Sequence, residues 1–113
     1  VSAKIALAAY ADEHSIPLIS SMGTGNKLHP ELFRISDLKD TSVCPLCRVM
    51  RKELKTRGIQ SLKVCWSPEK PLTPAPAEED TGSRRSTPGS ISFVPPAAGL
   101  MIAGEIVRNI CGL

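Results

Sequence analysis

The chain has 113 residues, a formal net charge of +3 and a composition that is 42% hydrophobic and 22% charged. A chain of this length folds as one domain, and these proportions are typical of a globular protein. Four irregularly spaced cysteines argue against a secreted disulfide framework, so we expect a cytoplasmic protein. Residues 91–107 form the most apolar stretch, but prolines and glycines interrupt it and it is too short to predict a membrane span.

The start of the chain predicts a helix, a strand and a glycine-rich loop. Residues 2–15 read as a helix with Ser2 as its N-cap and with apolar side chains on nearly every face. Pro17 ends this pattern, and residues 18–22 form an apolar strand that runs into the sequence GTGNK. A crossover helix normally follows a parallel strand, so we expect Val1 to be a cut point within a larger α/β domain.

The middle of the chain predicts a mixed sheet with a second helix. Residues 32–36 alternate like a strand, and the short connection before them favours an antiparallel step. Pro45 suits the first position of a helix and Gly58 suits the residue that follows its end. Residues 62–66 alternate as a clear strand. The apolar stripe predicted for this helix contains Leu46, Val49, Met50 and Leu54.

Composition changes sharply after this strand. Residues 67–90 carry five prolines and the run EEDTGSRR, so we predict a Pro-rich loop that is partly disordered around residues 75–88. A final helix is predicted over residues 96–109 and is almost wholly apolar. Its exposed surface would favour association, and we therefore expect a homodimer or a higher oligomer.

Cys44 and Cys47 open the second predicted helix as a Cys-x-x-Cys pair. Three interpretations are open: half of a zinc site, a redox pair, or small half-buried residues at a helix start. No second Cys-x-x-Cys pair is present, and Cys44 falls at the N-cap position, where helix geometry alone explains the spacing. The third interpretation is favoured, although a helix N-terminus lowers the pKa of a thiol and makes Cys44 more reactive than an ordinary cysteine.

Two further groups of residues are candidate binding elements. The second helix carries a basic face, which is either a solvated surface or a track for nucleic-acid phosphates; its members are Arg48, Arg51, Lys52 and Lys55. The loop after the first strand has glycines that permit positive φ, at the strand end where open α/β sheets bind ligands. It lacks the spacing of a phosphate-binding fingerprint, and its candidate residues are Ser21, Gly23, Thr24, Gly25, Asn26 and Lys27.

Several phrases of the sequence together resemble a known family. ISSMGTGNK, PLxxxMRKEL and the SPE that follows Trp66 occur in the order found in the C-terminal half of the ThiF/MoeB/HesA adenylating enzymes. The resemblance is greatest to the subgroup of tRNA threonylcarbamoyladenosine dehydratases, and it covers nearly the whole chain outside the Pro-rich loop. It implies an α/β fold, the C-terminal part of a Rossmann-like domain with a mixed sheet and flanking helices, from which the N-terminal nucleotide-binding half is absent.

This resemblance also implies a function. The family members are homodimeric enzymes that use ATP and Mg²⁺, and the dehydratases adenylate and cyclise threonylcarbamoyladenosine in tRNA. Their catalytic and nucleotide-binding residues lie in the N-terminal half, so we expect no catalytic residue in this chain, no tight ATP binding and no activity from the chain alone. Many relatives bind zinc through two Cys-x-x-Cys pairs, whereas this chain has one and places Cys47 where the dehydratases have a small residue.

Two alternatives to the dehydratase are open. The chain could derive from an adenylyltransferase that activates a ubiquitin-like sulfur carrier, or it could be an interaction module without catalysis. The first alternative requires a groove for a Gly-Gly tail and usually a complete zinc site. The dehydratase requires tRNA as a partner, which would give the basic helix face a use.

Overall fold

A computed structural model of the chain describes residues 1–73 and 89–113. The disorder predicted around residues 75–88 lies outside the described residues. In chain order, the helices and strands are α1 (Ser2–Glu13), β1 (Ile19–Ser21), β2 (Arg34–Asp37), α2 (Pro45–Thr56), β3 (Lys63–Trp66) and α3 (Pro95–Cys111). Short 3₁₀ turns at Pro30–Leu32 and Leu38–Asp40 flank β2. Within the described ranges, no helix combines the length and the hydropathy that a membrane span needs.

The three strands form the mixed sheet that the sequence predicts, in the order β1-β3-β2. β1 runs parallel to β3, with Ile19 opposite Lys63, and β2 runs antiparallel to β3, with Arg34 opposite Trp66. β1 and β2 therefore run in opposite directions, as the short connection indicates. They are not neighbours, however, because β3 lies between them and pairs with both.

The sheet lies between two helical layers. On one face, Val64 and Trp66 of β3 pack in a cluster with Met50 of α2 and with residues of α1. On the other face, Cys65 packs against Ala98 of α3. Successive residues of a strand point to opposite faces, so the alternation along β3 distributes the core between the two layers.

The first helix differs from its prediction in two ways. Ser2 is the first helical residue and not the N-cap; Val1 occupies that position, and no side chain caps the helix. The helix is also not buried on most sides, because Leu7 is 63% exposed and Tyr10 is 56% exposed. Its buried face consists of Ile5, Ala8 and Ala11.

The second helix matches its prediction at both ends. Pro45 is its first residue, and Gly58 adopts a φ of 74° just beyond its C-cap, a conformation that glycine adopts without steric cost. The predicted apolar stripe is partly wrong, because Val49 is 44% exposed. Cys47 is fully buried in the core instead, so it is not the half-buried residue that the sequence suggested.

Candidate functional site

The loop that follows β1 is shaped by an asparagine. Asn26 adopts a left-handed backbone conformation with a φ of 58°. Among the described glycines, only Gly58 and Gly112 have positive φ, so the prediction that the glycines of this loop supply that conformation is wrong. Asparagine tolerates the left-handed region better than most residues because its short polar side chain bonds locally. Asn26 therefore turns the chain at this position.

Asn26 also joins this loop to two distant segments. Its backbone N–H donates to the carbonyl of Gly89 at 2.9 Å, and its side-chain Oδ1 accepts from the N–H of Gly89 at 2.7 Å. Its carbonyl accepts from the N–H of Leu72 at 2.7 Å. One residue thus fixes the loop to the chain on both sides of residues 74–88.

The far end of the loop is held by Glu69. Its carboxylate accepts hydrogen bonds from the backbone N–H groups of Leu28 and His29 at 2.9 and 3.0 Å. Ser67 is completely buried, and its hydroxyl accepts from the N–H of Glu69 at 3.1 Å, which orients that residue. The SPE phrase after Trp66 therefore positions the loop. In the sequence this phrase indicated only a family resemblance, and the hydrogen bonds of Ser67 and Glu69 were not predicted from it.

Lys27 does not extend from the loop towards solvent. Its side chain is only 5% exposed, and its Nζ donates to the carbonyl of Gly25 at 3.5 Å. Ser21 likewise bonds locally, from its hydroxyl to the carbonyl of Met22 at 3.3 Å. Of the four polar side chains that the sequence suggested for a ligand, Ser21 and Lys27 are thus engaged with the loop backbone. The loop contributes mainly its shape and its backbone groups, with Gly23, Thr24 and Gly25 only partly buried.

The N-terminus of α2 lies directly against this loop through Cys44. The backbone N–H of Cys47 donates to Cys44 Sγ at 3.5 Å, and both side chains are buried. The thiol of Cys47 and the nearby backbone amides of Cys47, Gly23 and Leu46 lower the pKa of Cys44 to about 5, although burial opposes the shift. The same pairing raises the pKa of Cys47 well above its ordinary value, and burial adds to this. Cys44 is therefore the reactive thiol of the pair.

The described residues offer these two cysteines no further metal ligands. No group of three or more His, Cys, Asp or Glu side chains that could hold a metal ion occurs in the described part of the chain. All four cysteines are free thiols.

Three of the four predicted basic residues form an exposed face. Arg48, Lys52 and Lys55 are exposed on α2, and the helical angle of about 100° per residue places them within roughly 60° of one another. Arg51 is different, because its guanidinium donates to the carbonyl of Thr41 at 3.0 Å and to the hydroxyl of the same residue. We call Arg48, Lys52 and Lys55 the basic face. It begins one turn from Cys44, so it extends from the loop along α2.

The chain was compared with protein families and known proteins. No family model matches it. The tRNA threonylcarbamoyladenosine dehydratase of Bacillus subtilis is 34% identical over 95% of this chain, which corresponds to 46% of that protein. Dehydratase 2 of Saccharomyces cerevisiae is 42% identical over 70% of this chain and 19% of its own length. The chain is a relative of the tRNA threonylcarbamoyladenosine dehydratases. It spans about half the length of the Bacillus relative.

Solved structures confirm the fold of these dehydratases. The Escherichia coli tRNA N6-threonylcarbamoyladenosine dehydratase matches 96% of this chain and 44% of its own, with a TM-score of 0.81 and 23% identity. Two further structures of that enzyme, at TM-scores of 0.78 and 0.61 and the same identity, are complexes with AMP and with ATP. The resemblance read from the sequence and the predicted α/β fold class are thus confirmed.

Proposed function

We propose that this chain forms one half of an ATP-dependent enzyme that cyclises threonylcarbamoyladenosine in tRNA by dehydration. The observation that carries this proposal is the 34% identity to the Bacillus dehydratase over 95% of the chain. The structure supports it because the loop that follows β1 is fixed from outside by Asn26 and Glu69. A loop held in this way at the end of a parallel strand is suited to border a ligand site.

In this proposal the chain contributes a binding surface and the longer protein contributes the adenylating residues. Lys27 is buried and bonded to Gly25, so the loop would border a nucleotide or the modified base through its backbone. The basic face would contact tRNA phosphates, which are neutralised by exposed Lys and Arg side chains. ATP would activate the carboxylate of the threonylcarbamoyl group by adenylating it. Mg²⁺ would accompany the ATP, as in other enzymes that bind nucleotide phosphates.

The activity is tested with the longer protein that contains this chain. With ATP and tRNA that carries threonylcarbamoyladenosine, we expect the modified nucleoside to lose the mass of one water and AMP to appear in equal amount. A protein that adenylates a small carrier protein and leaves the tRNA unchanged would contradict the proposal. That outcome would support the sulfur-carrier alternative, and a protein inactive towards both substrates would support a non-catalytic module.

The role of the basic face is tested by charge reversal in the same longer protein. The double variant Arg48→Glu/Lys52→Glu should weaken tRNA binding by roughly tenfold or more at about 0.1 M salt. The slope of log K against log salt should fall by about two, because two phosphate contacts are removed. Lys39→Glu/Lys70→Glu changes the net charge equally at exposed positions outside this face and is the matched control. Equal effects of the two double variants would show that only net charge matters.

We also propose that the protein assembles as a homodimer through α3. Leu100 and Ile110 are 75% and 80% exposed on this helix, and Ala98 is its one buried residue, with Met101 and Ile102 partly buried beside it. A groove of about 700 Å³ lies between Ile106 and Ile110 of α3 and the edge of β1, and it extends this apolar surface. Sedimentation at micromolar concentration should show a dimer that Leu100→Glu/Ile110→Glu dissociates. A stable monomer of the unmodified protein would refute this.

The cytoplasmic location of the protein stays a prediction.

A further inference from the structure

The dithiol of Cys44 and Cys47 is a built site that the proposed dehydration does not use. Cys44 Sγ accepts a hydrogen bond from the backbone N–H of Cys47 in the first turn of α2 at 3.5 Å. It also lies beside Gly23 of the loop, where an added methyl group would approach the sulfur to 3.8 Å. The Cys47 thiol and the nearby backbone amides lower the pKa of Cys44 and so favour its thiolate, which is the form that reacts with oxidants.

Two cations, the buried Lys27 and the partly buried Arg51, lie close to this pair. A methyl group built on Gly23 would lie 3.8 Å from Cys44 Sγ and 3.7 Å from Lys27 Nζ, so the thiol and the ammonium flank the same side of that glycine. Arg51 is close enough to Cys47 for its positive charge to oppose the rise in that thiol's pKa. The other buried cysteine, Cys65, has none of these donors, and burial raises its pKa.

We propose that Cys44 and Cys47 are an oxidative modification site, at which a small hydroperoxide converts the dithiol into a disulfide and alters the packing of Cys44 against Gly23 of the loop. The burial of both side chains selects an oxidant no larger than hydrogen peroxide, which local opening of the first turn of α2 admits. A bulky disulfide such as oxidised glutathione is excluded by the same burial.

The chemistry is balanced by one peroxide for each pair of thiols. The Cys44 thiolate attacks one peroxide oxygen, the O–O bond breaks, and a sulfenic acid and hydroxide form. The Cys47 thiol then loses its proton to that hydroxide, and its sulfur attacks Cys44 Sγ. The S–O bond breaks, and the departing hydroxide takes up one proton from the buffer, equal to the proton that Cys44 released when it ionised. The two sulfurs thus lose two electrons and the peroxide becomes two waters.

Formation of the bond must draw Cys44 Sγ towards the sulfur of Cys47 and so change its contact with Gly23. Cβ atoms three residues apart on a helix are roughly 5–6 Å apart, whereas a disulfide requires about 3.5–4.5 Å. Cys44 is the N-cap, with φ of −72° and ψ of 119°, so it is outside the regular helix and is the residue that can shift. The sulfur also loses the negative charge that the nearby Gly23 amide favours. Oxidation at α2 is in this way coupled to the loop.

The test uses the purified chain with Cys111→Ser, because Cys111 is exposed and would form disulfides between molecules. Graded hydrogen peroxide followed by alkylation and mass spectrometry should show that the peptide with Cys44 and Cys47 loses two hydrogen atoms while Cys65 stays reduced. Cys47→Ser should instead accumulate a sulfenic acid on Cys44 that dimedone traps. Cys44→Ser should leave Cys47 unoxidised at the same peroxide concentration.

Two further readouts separate a reactive site from a buried structural pair. The oxidation rate should change less than about twofold between about pH 6 and pH 8, whereas a thiol of ordinary pKa near 8.5 gains more than tenfold. In NMR spectra, oxidation should move the amide resonance of Gly23 and leave that of Gly58 in place. Oxidation of Cys65 before Cys44, or a tenfold rise in rate over this pH range, would overturn the proposal. An unmoved Gly23 resonance would overturn the coupling to the loop.

Discussion

Replacement of Asn26 tests how the loop after β1 keeps its shape. Asn26→Ala removes the side-chain acceptor of the Gly89 amide, a bond of 2.7 Å at an exposed position, which costs about 0.5–1 kcal/mol. It also places an alanine at a φ of 58°, which costs about 1–2 kcal/mol because Cβ approaches the following carbonyl oxygen. The free energy of unfolding should therefore fall by about 2 kcal/mol.

Two matched variants separate these contributions. Asn26→Gly also loses the acceptor but accepts the left-handed conformation, so it should be more stable than the alanine variant by about 1 kcal/mol. Asn26→Asp keeps both the acceptor and the tolerance for positive φ, and it should stay within about 0.5 kcal/mol of the unmodified chain.

Urea unfolding can be followed through Trp66, which is the only tryptophan and is buried in the core. The free energy of unfolding of a domain of this size falls by about 2 kcal/mol per molar urea, so the urea midpoint of Asn26→Ala should be lower by about 1 M. Equal midpoints for the alanine and glycine variants would show that the left-handed conformation contributes nothing. An aspartate variant as unstable as the alanine variant would refute the role of the side-chain acceptor.

Four further predictions concern the core, pH and ligands. Met50→Ala should lower the free energy of unfolding by about 2–4 kcal/mol because Met50 is fully buried, whereas Val49→Ala on the exposed flank should cost under about 1 kcal/mol. The ion pairs with Lys63 and Arg108 lower the pKa of Glu105 below its ordinary value of 4.5. Their stabilisation is therefore present above about pH 4.5 and lost as the pH falls further, and Glu105→Gln should make urea midpoints less sensitive to acid. Elemental analysis should find no stoichiometric zinc; one zinc per chain that is lost in Cys44→Ser/Cys47→Ser would contradict this. Calorimetry should detect no binding of ATP by the chain alone, and micromolar affinity would contradict this.

The helices and strands could be predicted because their signals are local. Pro45 and Gly58 mark the ends of α2 within the sequence itself, and alternation identifies β3 without knowledge of its partners. The pairing of the strands was not accessible in the same way. β3 lies between β1 and β2 although it follows both in the chain, and nothing near β1 in sequence indicates this neighbour.

The candidate site was predicted in outline, as a loop at the end of β1 beside a basic helix. Its residues were assigned less accurately, because a side chain's role depends on contacts that local sequence does not encode. Lys27 is a cation by type, but it is buried and bonded to the loop backbone. Arg51 has the spacing of the basic face but donates to Thr41. Glu69 showed no site signal of its own, since its partners Leu28 and His29 precede it by about forty residues.

These contacts explain why the loop after β1 can have an unremarkable sequence and still hold one conformation. Glu69, Gly89 and Cys44 come from three separate parts of the chain, and each contacts the loop at a different place. Glu69 bonds to the loop backbone, Gly89 bonds to Asn26, and Cys44 lies against Gly23. The shape therefore does not require a phosphate-binding fingerprint in the loop itself. A change at any one of the three contacts should loosen one end of the loop and leave the others fixed, because the three contacts share no atoms.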